Sequence, residues 1–280
     1  MIMTIMSTLT SSAAIFLALN ETPALAAAPD SASAPAAAPG MAKAGKISDI
    51  SAADGQLEVD VRTGTVLKTF GIGAPLVPGD TVITPAGTIA TLTLEDDTRV
   101  VLGPASQFTV TKVAGSAGAS STFLKVTLGL ARVWVKKIYN GDQTFRVSAG
   151  NSVMGVRGTS FVVEKDSETD TSVHTVEGKV LMARTAALLG DPKSSVTVEA
   201  GFSSSLNGSM RVPTPARSFK REELSARLDK RAPGLGKLFT ELHQSGDDDG
   251  AKSVDYGLRH PGGPAAKAAP AKDAPPKTGN

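Results

Sequence analysis

The 280-residue sequence contains no cysteine, which removes disulfides, thiol nucleophiles and Cys-ligated zinc together. Stability therefore has to come from packing. Aromatic residues make up only 4% of the chain, so the stacking platforms that hold single-stranded nucleic acid are missing. Neither sign of charge dominates. With 29 basic and 27 acidic residues the formal charge is +2, and nucleic acid is not an expected partner. Long apolar runs are absent too. The apolar stretch reaching Leu19 is broken by Thr4, Ser7, Thr8 and Thr10 and falls short of the roughly 20 residues a membrane span needs.

A polar, helix-breaking segment, Asn20-Glu21-Thr22-Pro23, comes directly after Leu19 and leads into Ala24-Leu25-Ala26. This order predicts a signal peptide over 1–26, cleaved after Ala26, with no stable membrane span afterwards and a periplasmic or secreted location. The first basic residue is Lys43, so the leader lacks the usual positive start. Residues 27–56 read as an Ala/Pro-rich linker and 244–280 as an Ala/Pro/Lys-rich tail, both too poor in apolar side chains to offset the entropy of ordering. Between them are expected a β domain over 57–206 and a helical appendage over 216–243.

The middle of the chain reads as short strands punctuated by Gly, Pro and Asp, without a sustained helical period. In Thr88 to Leu94, Ala90, Leu92 and Leu94 share one face. Glu95-Asp96-Asp97-Thr98 turns the chain, and Val100 and Leu102 return on the same side, predicting a hairpin. Leu124, Val126 and Leu128 alternate likewise; Val133 and Val135 resume after Gly129, with Trp134 opposite. The fold class expected is all-β, a single domain of solenoid, roll or sandwich type. Beyond Pro215, Ser218 is placed to cap a helix running to Arg231, with Leu224 and Leu228 on one face.

A series of motifs gives these strands a family resemblance. It comprises Gly64-Thr65-Val66, Pro78-Gly79-Asp80-Thr81-Val82, Leu92-Thr93-Leu94-Glu95-Asp96-Asp97-Thr98, Leu128-Gly129-Leu130-Ala131-Arg132-Val133 and Phe145-Arg146-Val147. Val156-Arg157-Gly158-Thr159-Ser160-Phe161, Val176-Glu177-Gly178-Lys179-Val180 and Val198-Glu199-Ala200-Gly201 complete it. In order and spacing the series resembles the FecR domain family over about Val61 to Ser205. The resemblance implies a periplasmic β-rich domain, solenoid-like in shape, which in regulator members senses an outer-membrane receptor and controls a sigma factor. Family-motif positions with structural roles are Gly64, Gly79, Asp80, Asp97, Gly129, Gly158, Thr159, Phe161, Gly178 and Gly201. Where the family often has Asp-Gly-Ser in the acidic turn, this chain has Asp97-Thr98-Arg99.

No catalytic constellation emerges, and no cofactor or metal is expected. His174, His243 and His260 lie far apart, without ligand spacing, and His174 reads as a surface strand residue. Asp96-Asp97 reads as a solvated turn, because neighbours on a strand or hairpin point apart. Arg132, Trp134 and Lys136 share a strand face and form a candidate interaction patch. The chain is therefore expected to be a non-enzymatic exported binding or regulatory module with an envelope protein or glycan as partner; the alternative is a membrane-anchored regulator of an extracytoplasmic-function sigma factor.

Overall fold

Period-2 alternation of apolar side chains sets almost every element of this chain. The computed structural model describes residues 42–136, 144–167 and 169–240. The chain divides into two units, 1–33 and 34–280, and every described residue belongs to the second. The signal peptide, the tail, His243 and His260 lie outside the described residues. Strands β1 (Gly45–Ala52), β2 (Glu58–Thr63), β3 (Val66–Gly71), β4 (Pro75–Leu76), β5 (Thr81–Ile83), β6 (Thr88–Leu94), β7 (Arg99–Leu102) and β8 (Gln107–Lys112) precede one long strand, β9 (Thr122–Trp134). After it come β10 (Phe145–Ala149), β11 (Ser152–Val156), β12 (Ser160–Lys165), β13 (Thr171–Glu177), β14 (Lys179–Ala183), β15 (Ser195–Glu199), β16 (Phe202–Leu206) and β17 (Arg217–Ser218). Helices α1 (Arg221–Asp229) and α2 (Leu235–Thr240) close the described chain.

The ladders sort these strands into two sheets. The first runs β4-β1-β6-β7-β9-β12-β13-β16-β17. The second runs β3-β2-β5-β8-β9-β10-β11-β14-β15. Among the described pairings only β9 with β10 is parallel. β9 belongs to both sheets. Its first half, Thr122 to Leu128, pairs with β8 and β10, and its second half, Gly129 to Trp134, pairs with β7 and β12. The crossing point is Gly129, at φ +90°. There the inward set changes from Leu124 and Val126 to Ala131 and Val133, and Leu128 is left 37% exposed rather than continuing the inward row.

Side chains from both sheets fill one core, with Ile47, Leu92, Val133 and Phe161 from the first facing Val61, Phe108, Leu124 and Phe145 from the second. The architecture is thus a β-sandwich, one of the forms expected. A second cluster lies on the outer face of the first sheet, where Ile89, Val101, Leu130, Val162 and Val176 meet Leu224, Leu228, Leu235 and Phe239 of the helices. A nine-residue helix is too short to hold itself in water, so α1 depends on this docking. Leu228 is fully buried, and Leu228→Ala is expected to cost about 2–5 kcal/mol in urea unfolding. A cost near zero would show that the helices do not rest on the sheet.

Two boundaries differ from the sequence expectation. The linker predicted to reach residue 56 gives way to β1, whose Ile47 and Ile50 are fully buried and which pairs along β6. A register shift between Ile47 and Asp49 breaks the alternation, so the strand does not announce itself. Ser218 does not cap a helix. It pairs with Phe202 in β17, and α1 starts three residues later behind an extended Lys220 with no side-chain cap bond. Glu222 and Glu223 in the first turn supply the negative charge that favours a helix start.

Candidate functional site

The family-motif positions fall mainly in turns that hold the sandwich. Gly79 turns the chain at φ +96° into Asp80; that buried carboxylate accepts the Val77 N–H at 2.8 Å and the Thr63 hydroxyl. Asp97 takes the left-handed conformation of the β6–β7 turn at φ +60°. Its neighbour Asp96 is buried, contrary to the solvated turn expected. It accepts the Thr98 N–H at 3.0 Å and the Thr122 hydroxyl at 2.5 Å, tying the turn to β9. The structure brings together Gly158, Thr159 and Gly178. A Cβ on Gly178 would stand 2.7 Å from the Gly158 carbonyl oxygen, and the Thr159 hydroxyl donates to the Lys179 carbonyl at 2.9 Å. Phe161 is core. Gly64 and Gly201 occupy the β2–β3 and β15–β16 turns.

The patch Arg132, Trp134 and Lys136 lies on the helix-covered sheet. Arg132 donates to the Ser160 hydroxyl at 3.1 and 3.2 Å and to the Leu238 carbonyl at 2.6 Å, so its guanidinium anchors α2. The Arg99 guanidinium lies 5.7 Å from the centre of the half-buried Trp134 ring. Lys136 is exposed.

The densest charge cluster fastens α1. Glu164 of β12 is 2% exposed at its side chain. Its Oε1 accepts Arg227 at 2.5 Å and His174 Nε2 at 2.8 Å, and its Oε2 accepts Arg227 at 2.8 Å and Arg231 at 3.4 Å. Arg231 also reaches Asp166 at 2.7 Å. Burial alone would push the Glu164 carboxyl up; the hydrogen bonds and positive charge of His174 and Arg227 outweigh it and hold the group at about 2, against an ordinary 4.5. His174 is therefore no surface residue: its side chain is 12% exposed and its ring meets Phe219 edge-on at 5.3 Å. Beside it lies a cleft of about 230 Å³ lined by serines of β13 and β16 with Thr214 and Arg217. The Ser204 hydroxyl there donates to the Thr214 carbonyl at 2.7 Å, pinning the following segment against β16.

On the second sheet Leu189, in the loop after β14, packs over the outward-facing Gly155 of β11, while Arg62, Lys112 and Lys125 toward the other end of the outer face are exposed. Lys112 of β8 and Arg146 of β10 flank Phe123 of β9 in register, their charges 5.9 and 5.7 Å from the ring centre. The adjacent row reads Arg62, Thr81, Thr109, Lys125, Ser148 across five strands. Sequence reasoning missed this cluster because the three residues are distant in the chain; only the pairing of β8 and β10 on either side of β9 joins them. Among the described residues no group of three or more His, Asp or Glu side chains is placed to hold a metal ion.

Residues 80–181 match the family model described as FecR protein. The chain carries a FecR domain there, from the start of β5 into β14. Two solved structures of a candidate anti-sigma factor from Parabacteroides distasonis are 18% identical, with a TM-score of 0.42 in each case. Each alignment covers 53% of this chain, and 64% and 63% of the respective neighbour, so the chain spans less than two thirds of either. No curated protein matches the sequence.

Proposed function

We propose that this protein is a non-enzymatic binding or regulatory module exported to the cell envelope. The observation that carries the proposal is the FecR domain at 80–181, whose family comprises envelope-associated regulators. The side-chain chemistry points the same way. The buried carboxylates Asp80, Asp96 and Glu164 all act as acceptors for turns and a helix, roles that hold the fold, while the outer face of the second sheet presents Arg62, Lys112 and Lys125 to solvent. No helix among the described residues is long and apolar enough to cross a membrane.

The test is mass-spectrometric identification of the N-terminus in soluble and membrane fractions, followed by capture of partners on the tagged full chain from envelope extracts. A soluble species beginning near Ala27 that retains an envelope protein or glycan is the expected result. A membrane species retaining Met1, with altered transcription on deletion, would replace this reading by that of a membrane-anchored sigma-factor regulator.

A further inference from the structure

The outer face of the first sheet is covered by α1 and α2, whereas four cations are spread over the outer face of the second, next to the part at Gly155 that Leu189 covers. Arg62, Lys112, Lys125 and Arg146 sit there. Among the described residues none of the four pairs with a carboxylate. Asp60 of β2, two residues before Arg62 on the same strand, accepts the Thr69 hydroxyl at 2.9 Å. Resting on the envelope-binding reading above, we infer that this face docks an acidic polysaccharide through its carboxylate, sulfate or phosphate groups.

Three features select that occupant. The cations are spread over neighbouring strands of a sheet, so Lys112 and Arg146, two strand spacings apart, stand about 10 Å from one another. Separated charges of this kind, with Lys112 exposed and Arg146 half-buried, gain little from a small anion. A chain bearing several anionic groups engages them together and converts weak contacts into avidity. Second, hydroxyls lie between the cations. Thr81 and Thr109 are hydrogen-bonded to each other at 2.8 Å, and Ser148 follows Lys125 in the row; hydroxyls both donate and accept, as sugar hydroxyls require. Third, the single aromatic ring on these rows, Phe123, has a cation on either side. It therefore separates the two charges and offers no ladder for stacked bases. Large apolar side chains beside these cations, Phe123 in one row and the exposed Leu67 opposite Arg62 in the other, lie on different strands and form no continuous apolar stripe of the kind that inserts into a lipid surface.

The experiment measures binding of the full chain to polygalacturonate and to heparin at low and moderate salt. Neutral dextran, single-stranded DNA and phosphatidylglycerol vesicles serve as comparisons. The triple variant Lys112→Gln, Lys125→Gln, Arg146→Gln is expected to bind either acidic glycan roughly tenfold or more weakly, with a shallower salt dependence. A control variant, Lys193→Gln, Lys220→Gln, Lys230→Gln, removes the same charge elsewhere and should bind as the parent does; matching melting temperatures show that all three proteins are folded. The inference falls if the parent binds neither glycan. It also falls if the triple variant binds like the control, or if DNA or vesicles are held as tightly through the same three residues. Glycan failure alongside successful capture of an envelope protein removes this surface assignment alone, whereas failure of both removes the envelope reading as well.

Discussion

Arg227→Ala is expected to destabilise the protein by about 3 kcal/mol at neutral pH, because it strips the main partner from a buried carboxylate. Glu164 is 2% exposed and receives both arms of the Arg227 guanidinium. His174 and Arg231 remain to it, which puts the cost at the low end of the range for broken buried pairs. The same carboxyl makes stability depend on pH. Held at about 2 in the fold and returning toward 4.5 when the chain opens, it takes up its proton first in the unfolded state. Its contribution is therefore complete above pH 4.5 and disappears as the pH falls toward 2, a span equivalent to about 3 kcal/mol. Urea unfolding of parent and variant across that window checks both statements. The variant's acid limb should be shallower, and parallel limbs would mean that Arg227 does not set the Glu164 ionisation.

Gly129→Ala is expected to cost about 4 kcal/mol or more, enough to prevent folding of a domain of ordinary stability. Two effects combine. At φ +90° an L side chain is strained, and the added Cβ would lie 2.6 Å from the Ser106 Cα and 2.3 Å from its Oγ. Ser106 cannot easily withdraw, since its hydroxyl oxygen accepts the Leu130 N–H at 2.9 Å. Gly64→Ala separates the two effects, because Gly64 also has positive φ, +60°, with nothing within 4 Å of the added atom. It should cost only about 1 kcal/mol. Equal costs at the two sites would show that the approach to Ser106 is not what requires glycine.

Where neighbouring residues carried the signal, the fold was legible from the sequence. The β6–β7 hairpin follows from Ala90, Leu92, Leu94, Val100 and Leu102, all buried as expected; the change of sheets at Gly129 was not legible, and Leu128, expected on the inward row, is 37% exposed. β1 was hidden because its bulge disrupts the period and its composition runs on from the Ala/Pro-rich segment. Glu164 at the end of Val162-Val163-Glu164 looks like a strand leaving for solvent; the arginine that buries it comes 63 residues later. The Arg132 side chain reads as a free strand residue until α2, far along the chain, offers it a carbonyl. The cation row on the second sheet is non-local in the same way, and its parallel β9–β10 ladder has no hairpin turn to reveal it.

The FecR match ends inside a sandwich whose margins lie outside it. A fragment cut to 80–181 would lose β1 beside β6, β2 beside β5, β15 beside β14 and β16 beside β13, baring four strand edges at once. It would also lose α1 and α2 and so bare Ile89, Val101, Leu130, Val162 and Val176. Open edges beside an uncovered apolar face favour intermolecular strand pairing. Expression of that excised segment should therefore give inclusion bodies, and the smallest unit worth producing extends from β1 to the end of α2.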